Sequence, residues 1–168
     1  SGEDKLVDKK VAIIGAGPGG LVAARYLIGQ GFEPTLFEAH DKPGGQWEYT
    51  NPSSGVWPLM RTNTARMVTR FSDLDYPEGT KIFPRNQQVG DYLRAFATKF
   101  GLDDKIELNT GVTGLKRDGD GYTLTIEHDG RNRTERFARV VVASGAYNNP
   151  AIPQVPGLDS FSGKLGAI

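Results

Sequence analysis

VAIIGAGPGG, residues 11–20, leads straight into LVAARYLIG at 21–29. Four apolar residues in a row at 11–14 fit a strand buried on both faces of a parallel sheet. The glycines then turn the chain. Gly15, Gly17 and Gly20 have the G-x-G-x-x-G spacing: the first allows a tight turn, the second close approach of backbone to a pyrophosphate, the third close helix-to-strand packing. Pro18 sits where a first helical turn tolerates it, since its missing N–H would lack a partner there anyway. The helix that follows turns its free amides and positive dipole end toward the loop, an anion site built from Gly15, Gly17, Pro18, Gly19 and Gly20.

Glycines also mark ordinary turns, so the surroundings decide. A helix with small Ala23 and Ala24 follows, Gly31 closes it, and a second strand at 35–37 ends in Glu38. That acid stands roughly 20 residues beyond the glycines, where a ribose-binding carboxylate is expected. The competing reading is a solvated strand-end carboxylate. A carboxylate there accepts from ribose hydroxyls and repels a 2′-phosphate, which points to FAD or NAD as the first nucleotide rather than NADP.

The chain has 168 residues, enough for one domain with a sizeable core, and its 20 basic and 20 acidic side chains are scattered. No basic field points to nucleic acid or an anionic membrane. With 0 cysteines there are no disulfides, thiolate metal sites or dithiol redox chemistry. His40 and His128 stand in polar surroundings without metal-ligand or triad spacing and read as surface residues; no metal is expected. The polar start SGEDKLVDKK lacks the core of a signal peptide, and no apolar stretch has the length of a membrane span, so a cytoplasmic location is the default expectation. The opening Ser1-Gly2 reads as a processed or added terminus.

Residues 39–67 form a long segment dense in Gly, Pro, Asn and Ser, of the kind that is usually functional or disordered. Trp47, Tyr49 and Trp57 argue against disorder. On aromatic content alone, packing on the domain's own sheet is favoured over stacking on a bound flat ring. Residues 70–85 read as connecting loop. Residues 86–100 read as a helix, with Val89, Tyr92, Leu93, Phe96 and Phe100 at three- and four-residue steps and Gly101 at the stop. A third parallel strand is expected at 105–108. A meander is expected at 112–116, 122–127 and 134–138, with turn chemistry in DGDG and HDGRN. RVVVAS at 139–144 returns as a strand and stops at Gly145, which suits backbone approach to a cofactor at the carboxyl edge of a sheet, though a simple turn would also account for it. The remaining stretch is rich in proline and glycine, like a linker.

Together these pieces resemble the N-terminal part of a flavin-containing monooxygenase, of the two-dinucleotide-binding flavoprotein type. The resemblance rests on GAGPGG at 15–20, Glu38, GGQW at 44–47, RTNTARM with FSD across 61–73, the helix before GLDDKIELNTGV, and VVVASGAYNNPAIPQVPG with FSG at 161–163. It implies an α/β, Rossmann-like FAD-binding domain with a parallel sheet, a crossover helix and a three-stranded antiparallel β-meander over residues 1–150. Residues 151–168 would be a linker toward an NADPH domain. By resemblance Glu38 holds the adenosine ribose, and Gly45, Gln46 and Trp47 lie along the cofactor. Val112 approaches adenine through its backbone, and Ala143, Ser144 and Gly145 pass near the pyrophosphate. Thr62 and Asn63 match the pair beside the flavin ring, where the Asn63 amide is implicated in oxygen activation; from the residues alone, Asn63 reads as a turn or helix cap.

The implied activity is FAD- and NADPH-dependent oxygenation of a small nitrogen or sulfur nucleophile by molecular oxygen through a C4a-hydroperoxyflavin. The chain departs from the family pattern twice. It carries a single G-x-G-x-x-G, and Ala167 stands where the family's F-x-G-x-x-x-H, begun at Phe161 and Gly163, has histidine. The chain is therefore expected to be a fragment whose NADPH site lies elsewhere. The rival reading is a non-catalytic dinucleotide-binding or association module that pairs its incomplete sheet with a second copy or a complementing chain. An NAD-dependent dehydrogenase explains neither GGQW nor the absence of a recognisable proton-transferring residue.

Overall fold

Strand β1 (Lys10–Ile14) lies inside a four-stranded sheet, between β2 (Glu33–Phe37) and β7 (Arg139–Val142), with β3 (Ile106–Glu107) beyond β2. All three pairings are parallel, which is why the apolar run at 11–14 has no polar alternation: both of its faces are covered. The computed structural model describes residues 8–145 apart from 49, 52, 53, 55 and 58. The expectations for Tyr49, for the linker at 151–168 and for Phe161, Gly163 and Ala167 lie outside the described residues.

Successive side chains of a strand point to opposite faces, and β1 sends them into two separate cores. Val11 and Ile13 pack with Leu36 on one face against helix α1 (Pro18–Gly29) and helix α3 (Asn86–Lys99), joining Leu21, Ala24, Val89, Leu93 and Phe96. Ala12 faces the other way, onto Phe37, Leu124, Ile126 and Phe137. These last belong to the antiparallel meander of β4 (Thr110–Asp118), β5 (Gly121–His128) and β6 (Arg131–Phe137). Phe37 and Phe137 meet edge to face across that second core, with ring centroids 5.9 Å apart.

The expected α/β class, parallel sheet, crossover helix and meander are all present. Boundaries differ for local reasons. The third parallel strand is only Ile106–Glu107, because Asp103–Lys105 closes a 3₁₀ turn first. The meander strands extend to their tight turns, and β4 carries an irregularity between Val112 and Gly114. Helix α1 stops where Gly31, at φ +84°, reverses the chain, as the sequence suggests. A four-residue helical turn, α2 (Arg66–Thr69), stands in the segment read as loop, without an amphipathic period to announce it.

One phenol makes two of the hydrogen bonds that hold the segment after α2, beside the Arg25–Asp73 ion pair and the Lys99 bond to Asp73 O. Tyr92 Oη donates to the Leu74 carbonyl at 2.6 Å and accepts from the Phe71 amide at 2.7 Å, while its ring stacks on Tyr76 with centroids 4.4 Å apart. Replacing Tyr92 with Phe keeps the stacking and removes both bonds. We expect a loss of about 1–3 kcal/mol in urea unfolding, with faster amide exchange at Phe71; an unchanged unfolding midpoint would show that the phenol does not hold this segment.

Candidate functional site

The carboxyl ends of β1, β2 and β7 open onto one cleft of about 660 Å³, within the usual range for small-molecule sites. In an open parallel sheet this is where ligands enter, because the loops leaving neighbouring strands diverge there. Its floor is the loop after β1. Gly15, at φ +104°, donates its N–H to Phe37 O at 2.8 Å, and a Cβ added to it would stand 2.6 Å from Ala143 O. Gly20 does a different job: a Cβ there would lie 2.0 Å from Gly15 O, so it brings α1 against the loop from behind and does not line the cleft.

Helix α1 starts at this floor with Gly17 as N-cap, no side-chain cap hydrogen bond and no acidic residue in its first turn. Pro18 lacks an N–H, and Gly19 lines the cleft beside it. The positive end of a twelve-residue helix is therefore left uncompensated by its own side chains.

Glu38 stands at the end of β2, 5% exposed and lining the cleft. One carboxylate oxygen accepts from Ala16 N–H at 3.0 Å and the other from His40 N–H at 3.1 Å. An ionised carboxylate has about four acceptor positions. Two backbone donors leave room for two more, which is what a ribose diol requires. The solvated strand-end reading does not hold for a carboxylate this enclosed.

A second turn closes the cleft from the side. Gly44 donates its N–H to Ala16 O at 2.9 Å, and the 3₁₀ turn Gly45–Trp47 follows. Gly45, at φ +59°, is so near the first loop that an added Cβ would lie 3.0 Å from Gly17 Cα. Ala16 is thus held on both sides, its N–H by Glu38 and its C=O by Gly44.

Of the residues singled out from the sequence, Gly15, Gly17, Pro18, Gly19, Glu38, Gly45, Gln46, Val112, Ala143, Ser144 and Gly145 all line this one cleft. Gly20 supports it from behind. Three others stand outside its lining. Trp47 is half-buried against the core beneath α3, which agrees with the packing alternative for that ring. Thr62 is buried, with its hydroxyl donating to Thr64 O at 2.7 Å and its N–H to Pro84 O at 3.0 Å. Asn63 is exposed, and it does not cap the helix that follows, whose N-cap is Ala65.

Sequence reasoning missed Phe37, His40, Asn51, Thr110 and Gly111 as walls of the cleft. His40 is half-buried there and not a plain surface residue. Its place beside Glu38 could have signalled this; nothing in the spacing of Asn51 or Thr110 could. His128 is half-exposed, its Nδ1 3.1 Å from Thr110 Oγ1 and 3.0 Å from Asn109 O.

The model of the family described as flavin-binding monooxygenase-like matches residues 8–166. The chain is similar to flavin-containing monooxygenase 5 of Rattus norvegicus, with 33% identity covering 95% of this chain and 32% of that protein. It is also similar to flavin-containing monooxygenase 3 of Macaca mulatta, at 34% identity over 93% of this chain and 31% of that one. Among solved structures, the S-allyl-L-cysteine S-oxygenase of Allium sativum superposes with a TM-score of 0.82 at 33% identity, covering 92% of this chain and 40% of that chain. Tmm from a Pelagibacter strain gives 0.80 at 26% identity with the same coverage, and a steroid monooxygenase bound to NADP gives 0.74 at 26%. The chain spans about a third of the length of the curated relatives it matches. FAD and NADPH, the cofactors expected from the sequence, are those of this family. The match along the chain and the shared architecture agree: the chain belongs to the flavin-binding monooxygenase-like family.

Proposed function

We propose that the cleft is an FAD site and that the chain is the FAD-binding portion of an NADPH-dependent monooxygenase acting on small nitrogen or sulfur nucleophiles. One observation carries the reading: an uncapped helix N-terminus, a loop open to close approach, and a carboxylate with spare acceptor positions share a single cleft. In this reading the Gly17 and Gly19 amides at the start of α1 take the diphosphate and Glu38 takes the adenosine ribose. Val112 and Gly111, on β4, flank the adenine, and Ala143, Ser144 and Gly145 run along the diphosphate. Each part is chosen by chemistry: backbone N–H groups and a dipole for anionic oxygens, a carboxylate for hydroxyls.

Gln46 and Gly45 extend the binding surface toward the flavin end, with Trp47 holding their turn from within the core. Thr62 and Asn63 enter the reading through the family pattern alone, as the pair beside the ring. An amide such as that of Asn63 donates a hydrogen bond without releasing a proton, the property an oxygen-activating site needs. Hydride acceptance and oxygen transfer, which this chain's side chains do not perform, come with the flavin when it is bound. The nicotinamide cofactor, the substrate and molecular oxygen belong to the whole protein. The FAD-binding domain of this reading is the one expected over residues 1–150, to which the cleft belongs.

Purified protein should carry flavin absorbance, and Glu38→Gln, which loses the charge but keeps an acceptor, should bind FAD at least about tenfold more weakly. NADP should not replace FAD at this cleft. Protein that takes up no FAD under any condition would contradict the reading. NADPH oxidation without added sequence would contradict only the assignment of the NADPH site to another part of the polypeptide.

A second reading, association through an uncovered face, has its own observation. Leu59, Met67 and Ile82 are 75%, 74% and 62% exposed, and hydrogen bonds join their segments: Arg66 N–H donates to Ile82 O, and Arg61 donates to Phe83 O. Apolar side chains gathered in this way favour a protein partner. Sedimentation of the purified chain should show self-association that Leu59→Ser with Met67→Ser abolishes; a monomer at all concentrations would contradict it.

A further inference from the structure

Glu48 follows the 3₁₀ turn and is not among the residues lining the cleft, yet it is only 4% exposed. Its carboxylate is met by the Arg94 guanidinium from α3, by Thr50 Oγ1 at 2.8 Å and by the Thr50 amide at 3.3 Å. Arg94 is itself steadied by Asp91, 2.5 Å away and one turn earlier on the helix. A charge this enclosed is retained only where its partners are complete, and removing one partner strands the other.

The pair sits at one end of a short mechanical chain. Arg94 and Gly90 are four residues apart and share a face of α3. A Cβ at Gly90 would stand 3.0 Å from Trp47 O, so the helix backbone lies directly on the turn. Glu48 N–H donates to Gly45 O at 3.2 Å, and Asn51 Nδ2 donates to the same carbonyl at 3.3 Å. Gly45 in turn abuts Gly17, and Gly44 holds Ala16. Every link from α3 to the first glycine loop is thus a backbone contact or a hydrogen bond.

We infer that Glu48 and Arg94 are a positioning pair: by clamping the 44–47 turn to α3 they fix the wall that faces the 15–17 loop, and so set how tightly the cleft grips a dinucleotide. Neither residue lines the cleft. The inference rests on the dinucleotide reading above and adds a determinant that acts at a distance through packing.

The pair also makes the grip dependent on pH. Burial pushes the Glu48 carboxyl up, but the Thr50 hydroxyl and amide, then the charges of Arg94 and Lys42, outweigh it and leave the group below its ordinary value of 4.5. The charged groups facing it are Arg94 from α3, with Asp91 behind, and Lys42 from the preceding loop. A group with a depressed folded-state value contributes fully above its unfolded value and is lost as pH falls through the folded one. The clamp therefore holds at neutral pH and releases below 4.5.

The test is FAD affinity, followed by flavin fluorescence, across acid and neutral pH for the wild type, Glu48→Gln, Arg94→Met, Arg94→Lys and the double Glu48→Gln/Arg94→Met. At neutral pH each single neutral variant should bind about tenfold more weakly, and the double no more weakly than either, since the two act as a unit. Glu48→Gln should also flatten the acid side of the affinity profile, which a general loss of stability would not do. Amide exchange at Gly44, Gly45 and Trp47 should rise in both single variants without any ligand. Arg94→Lys retains the charge but not the planar fork and should fall between wild type and Arg94→Met; it supplies the comparison if the neutral variants do not fold. Wild-type affinity in folded variants, fully additive losses, or unchanged exchange in the turn would overturn the inference. Failure of the wild type to bind FAD, with raised exchange in the variants, would instead overturn the dinucleotide reading and leave the clamp without its stated purpose, which also overturns the inference as worded.

Discussion

Ala16 is the point on which this architecture closes. Its N–H is taken by a buried carboxylate from the end of one strand, and its carbonyl by the first amide of a turn nearly thirty residues further on. On either side of it glycine is required by steric contact with backbone, not by flexibility alone, since added Cβ atoms at Gly15 and Gly20 would meet carbonyl oxygens at 2.6 and 2.0 Å. The first glycine loop, the 44–45 turn and the end of β7 approach this closely because glycine stands at Gly15, Gly17 and Gly45, and the one side chain that reaches Ala16 is the Glu38 carboxylate. The result is a cleft floor made of main chain, which is the surface a diphosphate needs and one that side-chain substitution can hardly retune.

The rest of the fold supplies rigidity to that point. β1 cannot tilt, because its alternate side chains are locked into two cores that share no residue: helices on one face, the meander on the other. The meander is more than a cover. Its first strand begins at Thr110, whose N–H donates to Glu38 O at 2.8 Å, and carries Gly111 and Val112 into the cleft wall. α3 serves the opposite side. Its apolar stripe is core, while Gly90 and Arg94 on a neighbouring face reach the 3₁₀ turn. One sheet edge is thus braced from both sides by elements that themselves contribute little chemistry.

Much of this was legible in residue order. The unalternated apolar run at 11–14 announced a doubly covered strand, the glycine spacing announced the loop, and the stripe through Tyr92, Leu93 and Phe96 announced the second long helix. Those signals are local: each is a period or a spacing within a dozen residues. What could not be read was pairing at long separation. Glu48 looks like one more polar residue in a glycine-rich loop until α3 delivers Arg94 to it from 46 positions away. Thr110 and Asn51 become cleft walls only once the meander and the turn have docked. Trp47 illustrates the local kind of signal: aromatic content alone favours packing over stacking on a flat ligand, and the ring lies against the core. The resemblance carried the ring-side pair Thr62 and Asn63, and their surroundings place them off the cleft's lining, where sequence spacing alone gave no reason to expect either outcome.

The central claim is that main-chain amides at the start of α1 receive a diphosphate while Glu38 receives the adjoining ribose. Amide chemical shifts of the isotopically labelled protein, followed while ADP is titrated in, test it without dependence on flavin chemistry. The largest changes are expected at Gly17 and Gly19, with Ala16 and His40 shifting as Glu38 engages the sugar. Saturable binding that leaves those four amides unmoved and shifts residues elsewhere would contradict it.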